Sequence, residues 1–268
     1  ANAQWLQAYS LHRTGEYVAS GQVCDQFLAK HETHENAGSA AFLRAENLFL
    51  QDQLPPSITA FTSYLSQHKD HEQVSVATFR LGQAHYQQKD YAKALQSLTP
   101  LLAKKQDNPA LVQLIFIAGD SAFQSQSWDL AIQHFAKFLV EQPSVENADV
   151  AFFKRGLAYL KKEDAKNAGS TLAQFIQKYP KSSHFAHALV ELGLLHYKSD
   201  RHAEAIQSLI KVPQNSEYHP HALYYLGYSS LKQNQPDNAA THFKKLTTVH
   251  PQHELAADAT LQQGKILV

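Results

Sequence analysis

A chain of 268 residues, 44% of them apolar, is long enough for one or two globular domains, or for one elongated array whose units touch only their neighbours. Lys plus Arg and Asp plus Glu both number 24, so no global charge footprint points to nucleic acid or to a membrane surface. No run approaches the ~18 consecutive apolar residues of a membrane span.

The opening residues set a pattern that returns along the whole chain. In the first unit, from residue 1, Trp5 and Leu6 begin a helix without an obvious cap, and Ala8, Ser20, Cys24 and Phe27 follow as small, small, apolar and bulky residues. The eighth position then reads Ala45, Gly82, Gly119, Gly156, Gly193 and Gly227, in five steps of 37 and a last step of 34. The twentieth reads Ser57, Ala94, Ala131, Ala168, Ala205 and Ala239. The twenty-fourth and twenty-seventh are apolar in every unit. Small residues facing bulky ones at these spacings predict two antiparallel helices in close contact, because a missing side chain lets the backbones approach.

Units therefore start near 1, 38, 75, 112, 149, 186 and 220. In the second, Pro55 and Pro56 fall in the first turn of the second helix, where proline costs little. In the third, Pro100 sits inside a second helix, deletes the bond to the carbonyl of Gln96 and predicts a kink. Pro143, Pro180 and Pro251 stand at position 32 of the fourth, fifth and seventh units, where the second helix should end. The sixth unit is short, and Pro213 predicts that its second helix stops a turn early. Pro236 starts the second helix of the seventh. The segment 254–268 reads as one more helix, with Ala257 and Leu261 turned inward as a cap.

Small at 8, aromatic near 11 or 12, small at 20, aromatic or Leu at 24 and Pro at 32 resembles the tetratricopeptide repeat (TPR) over essentially the whole chain. The resemblance implies an all-α fold: one α-α superhelix, a TPR solenoid of about seven helical hairpins plus a C-terminal capping helix, spanning 1–268 as a single domain. The 37-residue period departs from the commonest 34-residue form, and the three extra residues should lengthen the second helix or its exit loop. Stretches such as "FIQKYPKSSHFAHALVELGLLHY" resemble the bacterial envelope subgroup of that family, the BamD-like and Tol-Pal-coordinator-like proteins. This implies a periplasmic or outer-membrane-associated location, with the cytoplasm as the alternative. The absence of methionine, at position 1 included, leads us to expect a segment upstream of Ala1, which could carry a lipid anchor.

Candidate chemistry starts with sixteen histidines. "HETHE" from His31, "HKDHE" from His68 and "HPQHE" from His250 all begin at position 31 of their units. Two imidazoles and a carboxylate in one loop could form part of a metal site. The competing reading is a solvated loop duplicated with its repeat, since neighbouring hairpins lie about 8–10 Å apart and zinc–ligand bonds are about 2 Å. We expect no metal and no cofactor. Cys24, at a buried-type position, reads as core rather than nucleophile, and no phosphate-cradling glycine loop or nucleophile-elbow motif is present. We expect a non-enzyme.

First-helix positions 5, 9 and 12 lie along one stripe. Positions 5 and 12 supply Phe42, Phe49, Phe79, Tyr86, Phe116, Phe123, Phe153, Tyr197 and Tyr224, two aromatic rails that either line a concave groove for a partner peptide or helix or pack between hairpins. Lys161, Lys198 and Lys232 at position 13 form a basic row suited to an acidic segment or a C-terminal carboxylate. The expected function is a non-catalytic scaffold that grips a protein or peptide partner, with no nucleic acid involved. A metal-binding or regulatory role of the His-rich loops, or service as the interaction module of a larger enzyme, are the alternatives.

Overall fold

Prolines mark several helix boundaries, and two helix starts, at Asp90 and Asp164, are capped by those residues' own carboxylates. The structure, a computed structural model, describes residues 1–103, 113–141 and 146–266, and among these are fifteen α-helices and no strand. First helices α1 (Asn2–Arg13), α3 (Ala37–Leu50), α5 (Val74–Gln87), α7 (Leu114–Gln124), α9 (Ala148–Lys161), α11 (Phe185–Lys198) and α13 (His219–Lys232) alternate with second helices. These are α2 (Tyr17–Lys30), α4 (Leu54–Gln67), α6 (Tyr91–Leu102), α8 (Trp128–Glu141), α10 (Ala165–Lys178), α12 (His202–Leu209) and α14 (Pro236–Val249), and α15 (Ala256–Ile266) follows.

Five prolines act as expected. Pro55 and Pro56 lie in the first turn of α4 and Pro236 opens α14. Pro180 and Pro251 each follow a residue that has left the helical region, Tyr179 and His250, as the ring of a following proline requires. Pro100 is accommodated inside α6. The sixth unit's second helix, α12, has 8 residues where α10 and α14 have 14, so the extra residues of the long unit are spent in that helix. Pro143 lies outside the described residues.

Every hairpin turn closes the same way. Gly15, Asp52, Lys89, Gln126, Glu163, Asp200 and Asn234, at one register position, have positive φ. The next residue donates its N–H back to the first helix, as in Asp90 N to His85 O at 2.9 Å and Asp164 N to Tyr159 O at 3.0 Å. This is the Schellman bond pattern, which satisfies helix-end carbonyls and needs a left-handed residue.

By packing, the chain divides into two compact units, Ala1–Phe138 and Leu139–Val268. In each, the size alternation read from the sequence is the hairpin contact. A Cβ built on Gly82 would stand 2.4 Å from Leu98 Cδ2, and on Gly156 2.8 Å from Leu172 Cδ2. Position 20 tolerates a hydroxyl because it is satisfied: Ser20 donates to the Ala8 carbonyl at 2.7 Å and accepts from Asn47 at 2.8 Å. Cys24 is fully buried, and burial pushes its thiol pKa up to about 12, far from a reactive thiolate.

The terminal helix corrects the sequence reading. Ala257 and Leu261 are exposed, and the inward residues are Ala256 and Ala259. Ala259 joins Leu223, Phe243 and Leu246 in one cluster with Leu255 and Ile266 against it. The inward stripe thus runs one to two residues before the one expected.

Candidate interaction face

Successive first helices pack side by side, α1 on α3, α3 on α5 and α5 on α7 in one unit and α11 on α13 in the other, so the outer stripes of these pairs adjoin. The position-5 rail is not that face. Phe42, Phe79, Phe116 and Phe153 are buried, because position 5 points at the hairpin's own second helix. Phe42 meets Phe61 and Tyr64, Phe116 meets Phe135 and Phe138, and Phe153 meets Phe175, all with ring centroids 5.5–6.2 Å apart. The expectation of an open groove along this rail is corrected for these four rings. Tyr224 is half-buried and donates to Asp258 of α15 at 2.8 Å, as does Tyr228 at 2.7 Å.

Position-12 rings are half-buried on the opening residue of their own second helix: Tyr86 on Tyr91, Phe123 on Trp128 and Tyr197 on His202. Between these two rows lies position 9, and here the units differ in chemistry. In the first unit it is Tyr9, which is exposed, and then three polar residues, Glu46, Gln83 and Asp120, that are already engaged. Arg80 clamps the Glu46 carboxylate with Nε at 2.9 and 3.0 Å and Nη2 at 2.7 Å, reaches Gln83 at 2.9 Å, and lies over Phe49. Tyr86 donates to Asp120, and burial, with that carboxylate, raises its phenol pKa.

In the second unit position 9 is Leu157, Leu194 and Tyr228. Leu157 and Leu160 of α9 with Leu194 and Leu195 of α11 floor a concave groove of about 640 Å³, edged by Lys161 and Lys198. Both lysines are exposed. At one end His187 and Glu191 pair at 3.2 Å, with the His187 ring stacked on Tyr218 at 4.4 Å. At the other end stand Glu163 and Ser199. Lys232 is exposed on α13 and does not line the groove. The structure thus joins Lys161 and Lys198 to four leucines that the aromatic rails had overshadowed. The signal that finds them is the change at position 9 from Glu46, Gln83 and Asp120 to Leu157 and Leu194.

The His-rich loops have a structural task. The Nδ1 of His34, His71 and His253 accepts the backbone N–H two residues on, at 3.2–3.4 Å. Ser182 and Ser216 do the same at equivalent places through Oγ. These histidines close the loop that leads into the next first helix. Among the described residues no group of three His, Cys, Asp or Glu side chains could hold a metal ion.

Family models described as tetratricopeptide repeat-like domain match residues 3–111, and as tetratricopeptide repeat match 79–146, 150–182 and 221–253. No curated protein matches the sequence. Among solved structures, a chain of Naa15/Naa10 bound to HypK-THB has 14% identity and a TM-score of 0.66. The match covers 99% of this chain and 39% of that one, so this chain spans about two fifths of its length. The C-terminal part of a TPR repeat-containing protein from Cytophaga hutchinsonii has 15% identity and a TM-score of 0.66, covering 95% and 98% of the two chains. YrrB, a TPR protein with an unusual peptide-binding site, has 19% identity and a TM-score of 0.55, covering 75% and 98%. These likenesses are of fold: helical hairpins stacked in sequence.

Proposed function

Because the chain belongs to the tetratricopeptide repeat family, we propose that it is a non-catalytic protein-interaction scaffold whose second unit holds an extended partner segment in the groove between α9 and α11. The observation that carries this reading is a leucine floor edged by two exposed lysines, on a face whose counterpart in the first unit is already occupied by its own ion pair and hydrogen bonds. The occupant is a segment with apolar side chains for Leu157, Leu160, Leu194 and Leu195 and acidic groups for Lys161 and Lys198. Apolar anchors supply most of the affinity and rim charges set register and on-rate. YrrB, with its peptide-binding site, is support by analogy of fold.

A displayed library of random peptides tests the reading. Selection on the whole chain should enrich apolar segments flanked by Asp or Glu, and Lys161→Glu/Lys198→Glu should abolish the enrichment while leaving the melting temperature within a degree or two. Enrichment that survives the double variant would defeat it. The proposed setting is a bacterial cell-envelope assembly, supported by the 37-residue period and the loop sequences alone. Fractionation of native cells should place the protein with the envelope, and recovery in the cytosol would reject that setting.

A further inference from the structure

Two arginines stand at position 7 of their repeats, Arg44 on α3 and Arg155 on α9. Arg44 is paired with the Asp25 carboxylate of α2, the second helix before it. Arg80, at position 6 on α5, is paired with Glu46. Arg155 differs from both. Its guanidinium lies over the Phe152 ring, 4.7 Å from the centroid, and its Nε is enclosed with no acceptor. Among the described residues no carboxylate makes an ion pair or hydrogen bond with it. Burial lowers its pKa and only the Tyr159 phenol works the other way, as expected of a cation taken from water without a counter-charge.

A second cation shares the same ring. Lys178, exposed near the end of α10, places its Nζ 6.0 Å from the Phe152 centroid and 5.3 Å from that of Tyr179. It too has no ion pair among the described residues. Tyr179 stands edge-on to Phe152 at 5.9 Å, and its hydroxyl is enclosed without a partner. Two cations therefore gather on one aromatic pair with no anion beside them. They are not part of the leucine groove, because Leu157 follows Arg155 by two residues and is turned about 200° around α9.

We propose that Arg155 and Lys178 bind an acidic segment of a partner protein, with one side-chain carboxylate on the guanidinium edge and a neighbouring one on the ammonium. A guanidinium laid flat on a ring keeps its Nη edge for a planar acceptor with two oxygens, which a carboxylate supplies in bidentate fashion. The Nη nitrogens, unlike Nε, are not enclosed. Phe152 sets the plane of the guanidinium beforehand, so less freedom is lost when the acid arrives. The incoming carboxylate gives Arg155 what Asp25 gives Arg44 and Glu46 gives Arg80. This site does not depend on the groove between α9 and α11.

The test uses the whole chain, isotope-labelled, and follows the backbone amide signals of Phe152, Arg155 and Tyr179. The probes are an end-capped peptide, Gly-Ser-Asp-Glu-Asp-Glu-Ser-Gly, the same peptide with Asn and Gln in place of its acids, and inorganic phosphate at equal ionic strength. The acidic peptide should shift the signals saturably, less so as salt rises, and the amide peptide should not. Arg155→Gln should weaken binding about tenfold and Lys178→Gln several-fold, with melting temperatures within a degree or two of the parent. Arg155→Lys, which keeps the charge and loses the fork, should fall between. Lys161→Glu/Lys198→Glu should leave the shifts in place, so that loss of the groove and loss of this site are told apart. Equal response to both peptides, a response to phosphate without one to the acidic peptide, or unchanged affinity in Arg155→Gln and Lys178→Gln would overturn the proposal. So would a melting temperature lowered by more than about 5 °C in Arg155→Gln while Lys178→Gln binds as the parent does, because Arg155 would then serve packing alone.

Discussion

Phe153→Ala separates a core ring from a groove ring. Phe153 is 3% exposed, lies 5.5 Å from the Phe175 ring, and carries the His184 ring stacked at 4.8 Å and the His187 ring at 5.0 Å. It therefore joins the two helices of its own hairpin to the start of the next. Burial of roughly 150–200 Å² of ring at about 25 cal/mol per Å² stabilises by about 4 kcal/mol, and Phe→Ala in cores costs about 3–5 kcal/mol. For a unit of this size a loss of about 3 kcal/mol lowers the melting temperature by on the order of 10 °C. Circular dichroism against temperature and urea, with hydrogen exchange to locate the loss in α9–α11, reads the effect. A shift under about 2 °C would refute the buried assignment and return the ring to the open face, since surface changes usually stay within about 0.5 kcal/mol.

Lys89→Gly and Glu163→Gly should each raise the unfolding free energy measured in urea by up to about 1 kcal/mol, because a left-handed residue with a Cβ costs roughly 1–2 kcal/mol and glycine returns roughly 0.5–1 of that as chain entropy; a fall in stability would contradict the turn geometry. Arg80→Ala should cost toward the lower end of about 3–5 kcal/mol by leaving the Glu46 carboxylate buried alone, whereas Arg80→Met with Glu46→Leu should be close to neutral in the same unfolding assay. His219, whose Nδ1 lies 2.9 Å from His250 Nε2, has its pKa lowered by burial first and then by His250 and Lys245. A lowered folded-state pKa means the unfolded chain binds more protons below about pH 6.5, so stability is full above that pH and falls as pH drops through the folded value; His219→Gln should flatten this decline in urea midpoints measured between pH 7.5 and 5.

The hairpins were legible because close packing is a constraint on size: Gly82 and Gly156 must be small since Leu98 and Leu172 reach them. Depth was not legible. A stripe of apolar residues at 5 and 12 tells which side of a helix faces other atoms, not whether those atoms belong to the chain or to a partner. Phe42 and Phe153 turned out to face their own second helices. The left-handed turn residue escaped notice because only Gly15 is glycine there; backbone bonds, not composition, hold Lys89 and Glu163 in place. The loop histidines read as candidate ligands in isolation, and only alignment with Ser182 and Ser216 exposes their shared bond to a backbone N–H.

A partner segment bound in the groove would lie on Leu157, Leu160, Leu194 and Leu195 between Lys161 and Lys198. Methyl-labelled leucine spectra of the whole chain, recorded while a selected acidic-apolar peptide is added, test it most directly. Saturable shifts should appear at those four leucines and be lost in Lys161→Glu/Lys198→Glu; shifts elsewhere in the chain, or shifts that persist in the double variant, would rule out binding in this groove.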